Sequence, residues 1–319
     1  MLTLTLPKNV ISYIKGLMCV FENASCMALS LVSKRSHDSL TRVLEGKKFC
    51  WQILLQNFIL RTFGKLQGGY LIIDDTIISK VFAKSIENLA WVFDSKIGRS
   101  ILGLNIVLIA WSNSKVTIPL ALKVYQKGNG KTKIDLAVEL IRYAKKLGLK
   151  PDYITFDSWY AAKEIFETIK QHRWEFVTQI KSNRKLNGIP LKEVQRNPYW
   201  MMTGKIAGGI KVVVVRNGKK YFATNDLASS RQEVLSRYKG RWTIETIFKA
   251  LHSKLGLDKC QSRKLSAQVA HFNLCLMAYT ALEIEGFIEN QTFYKIKRNC
   301  SFDPKYADNI LNKVFFQGA

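Results

Sequence analysis

Over residues 1–68 the apolar positions recur every three to four residues, most clearly in ISYIKGLMCVF and CWQILLQNFILRTF, and this spacing predicts helices. Between those runs, SLVSKRSHDSLTRVLEG reads as a small helix-turn-helix. Its first helix ends near Lys34-Arg35. Its second begins around Ser36 to Asp38, burying Leu40, Val43 and Leu44 and presenting Ser39, Thr41 and Arg42. At Gly68-Gly69 the texture changes. YLIIDD and YITFD are short apolar runs ending in acid, as buried strands do. ILGLNIVLIAW and KVTIPLALKVY predict two further strands joined as a hairpin at Ser112-Asn113-Ser114. IDLAVELIRYAKKLGL and AAKEIFETIKQH carry a helical period, and WEFVTQI is again a strand. The order strand-strand-strand-helix-strand-helix-strand predicts an α/β core, a mixed sheet flanked by helices.

From about 182 to 226 turn signals dominate, and RNGK between VVVV and YFAT marks a two-residue hairpin. This stretch reads as a β-rich insertion. Helical texture returns at Ser230, whose spacing to Glu233 makes a capping box, and runs to about Leu255. SAQVAHFNLCLMAYTALEIEG predicts a last helix, and YKIKRNCSFDPKY reads as a basic, poorly patterned tail. The expected division is a helical region at 1–68, an α/β domain at 69–290 and a tail at 291–319.

Charge adds what patterning cannot. Of the 319 residues, 49 are Lys or Arg and 24 are acids, a formal charge of +25. A surplus of that size calls for a polyanion, and nucleic acid is the first candidate. An Arg-bearing helix that starts with short polar side chains, like the one around Arg42, also suits a DNA major groove, as it suits a plain basic surface helix. The sequence has no 18-residue apolar run, so no membrane partner is expected. The start MLTLTLPKNV lacks the parts of a secretory leader, and the expected location is cytoplasmic and nucleoid-associated. Six cysteines form no CxxC pair and four histidines are scattered, so any metal would be a hard cation held by carboxylates.

The acids at the strand ends are the candidates: Asp74, with Asp75 next to it, and Asp157. A carboxylate at the edge of an apolar sheet needs a compensating cation, although Asp also serves as a turn former or helix cap. A third acid lies in SRYKGRWTIETIFKALHSKLGL. Wound as one helix, this segment places Tyr238, Arg241, Glu245, Lys249 and His252 in one sector of about 80°. Ile244, Ile247, Leu251 and Leu255 make a separate apolar face. Intrahelical ion pairing would suit the same stacking, and Gly240 is a possible break.

Tyr238, Arg241-Trp242, Ile244-Glu245 and Phe248-Lys249 together resemble the signature of DDE transposases from bacterial insertion sequences. The upstream I-D-D-T, with Asp74, Asp75 and Thr76, and T-F-D-S-W-Y, with Asp157 and Trp159, resemble the strands that carry that family's catalytic aspartates. The likeness covers roughly residues 70 to 280 and implies an RNase H-like core split by a β-rich insertion. One position departs from the pattern: His252 stands where the family has a lysine, leaving Lys249 or Lys254 to serve in its place.

The resemblance implies that Asp74, Asp157 and Glu245 hold two Mg²⁺ ions, with Mn²⁺ able to substitute, for phosphodiester hydrolysis and strand transfer. The Asp-x-Thr pattern selects Asp74 with Thr76 and leaves Asp75, the alternative ligand, to cap a turn or bond its own backbone. Arg241 would clamp a phosphate, Lys249 would add charge, and Tyr238 would pack on the terminal phosphate or a base. Trp159 would stack on an extruded base or simply pack in the core. Lys181, Arg184 and Lys185, with Lys219 and Lys220, would line the path of double-stranded DNA, both terminal inverted repeats and target, or form a solvated face. Handling two ends implies a homodimer on DNA. The rival reading is a non-catalytic DNA-binding protein derived from a transposase.

Overall fold

The computed structural model describes residues 6–21, 24–46, 49–64, 66–94 and 97–315; the opening residues 1–5, read above for a leader, lie outside it. Four helices come first: α1 (Lys8–Cys19), α2 (Cys26–Ser33), α3 (His37–Glu45) and α4 (Trp51–Phe63). The expected helix-turn-helix is α2 and α3. Lys34 adopts a left-handed conformation, φ 55°, after α2, and the Ser36 hydroxyl accepts from the Ser39 amide to start α3. Leu40, Val43 and Leu44 are buried and Arg42 is exposed, as the pattern requires.

The strands are β1 (Tyr70–Ser79), β2 (Ala90–Asp94), β3 (Arg99–Ser112) and β4 (Thr117–Tyr125). Then come α5 (Lys133–Lys146), β5 (Tyr153–Phe156), α6 (Lys163–Gln171) and β6 (Phe176–Ile180). A small hairpin, β7 (Lys185–Leu186) and β8 (Ile189–Pro190), precedes the short α7 (Leu191–Val194). The strands β9 (Met201–Ile206), β10 (Ile210–Asn217) and β11 (Lys220–Thr224) follow. One nine-stranded mixed sheet results, in the order β2-β3-β1-β5-β6-β11-β10-β9, with β4 paired to β3. The segment expected to be a β-rich insertion therefore extends the main sheet. Phe222 of β11 pairs with Gln179 of β6, and the buried Val177, Val213, Val215 and Phe222 pack with Val234 in a second small core.

Two of these strands position the site. β1 does not end at its acids, as the apolar run suggested. It runs on to Ser79, antiparallel to β3 throughout, while its parallel pairing with β5 stops at Ile73–Phe156. Asp74 and Asp157 are the next residue on each strand and leave the ladder side by side. β3 approaches β1 very closely. A Cβ on Gly103 would lie 2.5 Å from the Ile78 carbonyl oxygen.

The C-terminal third is helical: α8 (Arg231–Lys239), α9 (Thr243–Lys254), α10 (Leu265–Ile288), α11 (Phe293–Phe302) and α12 (Pro304–Phe315). The expected Ser230–Glu233 capping box is present. The single helix expected up to Leu255 is instead two, joined by a 3-10 turn at Gly240–Trp242. Gly240 keeps right-handed helical angles, so the chain tightens without breaking, and a Cβ there would meet the Tyr70 ring at 2.9 Å. α10 is buried on nearly every side and contacts β4, α1, α3, α4, α9, α11 and α12. The expected unpatterned tail forms α11 and α12, which dock through Ile296, Cys300, Ala307, Ile310 and Leu311. Among the described residues no helix is long and apolar enough to cross a membrane.

Replacing Gly103 with Ala should push β3 away from β1 and cost about 1–3 kcal/mol or more, since the clash is with backbone. The urea midpoint should fall accordingly. An unchanged midpoint would show that the two strands can separate at no cost.

Candidate functional site

Asp74 and Thr76 point to one face of β1 and Asp75 to the other, as alternation in a strand demands. On the first face lies α9, whose buried Ile244, Ile247 and Leu251 fix it against the core. The Arg241 guanidinium reaches Asp74 Oδ2 at 2.8 Å through Nη1 and Glu245 Oε1 at 2.7 Å through Nη2. It thus joins two acids that stand 245 − 74 = 171 positions apart in the sequence, through one planar group that fits carboxylates well. His252 Nε2 lies 3.2 Å from Thr76 Oγ1, about two turns beyond Glu245 along the same helix.

Asp157 follows directly on β5. Its Oδ1 accepts the Trp159 amide at 2.8 Å and the Tyr160 amide at 3.2 Å, so it does form the turn that Asp commonly makes. Burial, then the neighbouring Asp157 charge, push the Asp74 carboxyl up to about 7 against the pull of Arg241. Burial also raises Asp157, and the two amides and Arg241 oppose it. Two carboxyls shifted upward at the open end of a parallel strand pair form a site short of positive charge.

Asp75 neither caps a turn nor bonds its own backbone. Its Oδ1 accepts the Tyr160 hydroxyl at 2.8 Å, and its Oδ2 accepts Asn105 Nδ2 at 2.7 Å and Lys133 Nζ at 2.9 Å. These three partners are absent from the sequence reading. The signals were present: Asn105 interrupts an apolar strand, and Lys133 follows the Thr132 cap of α5.

The remaining candidates are divided. Tyr238 is half-buried, with its ring 4.9 Å from that of Phe222 and 5.9 Å from the Arg241 guanidinium carbon. Trp159 is exposed, not core, and Lys133 Nζ stands 4.2 Å from its ring centroid. Trp242, a further exposed aromatic, has the Arg241 guanidinium carbon 5.5 Å from its ring. Lys249 and Lys254 are exposed and pair with none of the three acids, whereas His252 lies beside β1. Arg184 donates to the Ala161 carbonyl at 2.6 Å, which brings it to the Asp157 loop. With Lys163, Lys185 and Lys205 it surrounds a cavity of about 550 Å³ walled by Phe166, Ile180 and Ile206. Lys181, Lys219 and Lys220 are exposed, the last two at the β10–β11 turn. Arg42 stands on α3 in the N-terminal helices, apart from these strands.

Residues 67–281 match the family model described as the transposase DDE domain. The chain belongs to that family. The match begins just before β1 and ends within α10, so it takes in every acid described above. A cryo-EM structure of a piggyBac transposase synaptic complex with hairpin DNA shares the fold, with a TM-score of 0.60 and 14% sequence identity over 98% of this chain and 74% of that one. No curated protein matches the chain. Among the described residues of this family member, no group of three His, Cys, Asp or Glu is gathered closely enough to hold a metal ion. The Arg241 guanidinium is ion-paired with both Asp74 and Glu245.

The raised Asp74 gives a pH dependence whose sign is fixed. Unfolded, this carboxyl ionises near 3.8, and folded near 7. Between those values the folded state holds a proton that the unfolded state releases, so stability falls as pH rises. Without metal, the Tm of the wild type should decline relative to Asp74→Asn as pH rises from about 5 to about 8. A flat difference would show that Asp74 ionises freely in the folded chain.

Proposed function

We propose that this transposase-family protein binds the terminal inverted repeats of its element and cleaves and rejoins DNA with divalent metal at Asp74, Asp157 and Glu245. One observation carries the reading. The β1–β5 ladder stops one residue short of both aspartates, and Arg241, in the turn before α9, bonds both Asp74 and Glu245. The donor set suits Mg²⁺, with Mn²⁺ as substitute: it is oxygen only, and two of its members are raised in a way that a nearby cation relieves. Bound there, two such ions would activate a water or 3′-hydroxyl and stabilise the leaving oxygen.

The chain's own residues supply the rest. Arg241 bonds both Asp74 and Glu245. With metal held by those acids, its guanidinium would be available to grip a phosphate beside the scissile bond. His252, bonded to Thr76, takes the place of the family lysine, and exposed Lys249 and Lys254 add charge along the approach. Trp159, held on one side by Lys133, offers a face to an unpaired base. Tyr238 packs beside Arg241 and supports its direction. Arg184, Lys181 and Lys185 guide the backbone past the Asp157 loop, and Arg42 on α3 enters a groove of the repeat. The DNA in the piggyBac complex, and the charge of +25, support a duplex partner. Two ends must meet, which supports a homodimer on DNA. A cytoplasmic, nucleoid-associated location accords with that partner.

Affinity for DNA should fall by orders of magnitude between about 50 and 200 mM salt if ~6–10 phosphates are neutralised. Binding indifferent to salt would remove DNA as the partner. Glu245→Gln should still retard terminal-repeat DNA in a gel yet lose Mg²⁺-dependent cleavage. Cleavage at the wild-type rate would reduce Glu245 to an ion-pair partner of Arg241, and wild-type protein that binds without cleaving would favour the non-catalytic reading.

A further inference from the structure

Backbone pairing between β1 and β5 ends at Ile73–Phe156, so no ladder bond fixes Asp74 relative to Asp157. Beyond that last pair, side-chain bonds across the two strand ends can hold the carboxylates in register. Tyr160 is placed to do this. Its amide donates to Asp157 Oδ1, and its hydroxyl donates to Asp75 Oδ1, on the residue next to Asp74. The ring between these two bonds is fully buried, which leaves the phenol no alternative partner in solvent.

We infer that Tyr160 is a positioning residue that clamps the ends of the two acid-bearing strands, with Asp75 as its anchor. Asp75 is itself held against movement. Asn105 grips it from β3, and Lys133 grips it from α5. Lys133 also lies over Trp159, so the same ion pair reaches the exposed ring next to the Asp157 turn. One carboxylate on the far face of β1 thereby connects β3, α5 and the loop after β5. This assigns Asp75 a task distinct from metal binding: its two oxygens are taken up by three donors that face away from α9. The inference rests on the reading of Asp74 and Asp157 as metal ligands.

Tyr160→Phe removes the one hydroxyl and leaves the packing ring. It should retain terminal-repeat binding and a Tm close to the wild type. Hydrogen exchange of the peptide covering residues 157–162, followed without metal, should quicken. Mn²⁺ binding followed by calorimetry should weaken about 10–100-fold, the usual effect of losing an outer partner of metal ligands. Cleavage should need correspondingly more Mg²⁺ and recover at high concentration. Asp75→Asn, made in both backgrounds, should loosen the loop in the wild type but add little to Tyr160→Phe, since both cut the same clamp. Unchanged exchange and unchanged Mn²⁺ affinity in Tyr160→Phe would overturn the inference. If the wild type binds no Mn²⁺ while the exchange still quickens, the clamp stands and the metal reading fails.

Discussion

A carboxylate buried without a counter-charge costs a protein several kcal/mol, and it will protonate or find a cation instead. The open end of β1 and β5 holds three: Asp74, Asp75 and Asp157. The fold answers the demand differently on each side of β1. On one side Asp75 is fully engaged by a lysine, an amide and a phenol. On the other, Asp74 has a single guanidinium, shared with Glu245, and remains raised. The site is thus compensated where it is structural and left wanting where a further cation would be welcome. Placing α9 depends on that shared guanidinium and on the apolar face of Ile244, Ile247 and Leu251. The 3-10 turn before it lets Gly240 lie against the Tyr70 ring, so the helix meets β1 at the residue where the strand enters the sheet.

Much of this was legible in the residues, and what was missed has a common cause. Apolar runs identified β1, β3, β4, β5 and β6 because buried strands must be apolar whatever their partners. Ser36 and the Ser230–Glu233 pair marked helix starts because capping is local chemistry. The far half of β1 was hidden, since Asp74, Asp75 and Thr76 look like a turn until β3 pairs with them. β2, with Trp91 and Phe93 exposed on an edge, has no alternation facing a core. The joining of β11 to β6 is a choice of partner made in three dimensions. α11 and α12 carry the required apolar spacing, interrupted by basic residues, of which Lys297 is itself buried and donates to the Val20 carbonyl.

Of the candidate site, the three acids and Arg241 were recoverable because a helix repeats its geometry and a strand alternates. Lys249 shares their sector of the helix, but angular position around an axis does not fix depth. A lysine at the edge of the sector stays in solvent, while His252 reaches the strand. Asn105, Lys133 and Tyr160 escaped for the opposite reason. They converge on Asp75 from β3, α5 and the loop after β5, and no spacing along the chain records that convergence.

The strict alternation of β1 has a consequence for how this strand can change over time. Its two faces carry different tasks in adjacent residues, and its ten-residue pairing with β3, pressed close at Gly103, sets which residue faces which way. A point substitution in Tyr70–Ser79 alters one contact. A single-codon insertion or deletion before Asp74 exchanges the two carboxylates, turning the anchor toward α9 and the acid that pairs with Arg241 toward Tyr160. The segment should therefore accept variation in residue type far more readily than variation in length, because an indel there reverses both faces of the strand at once.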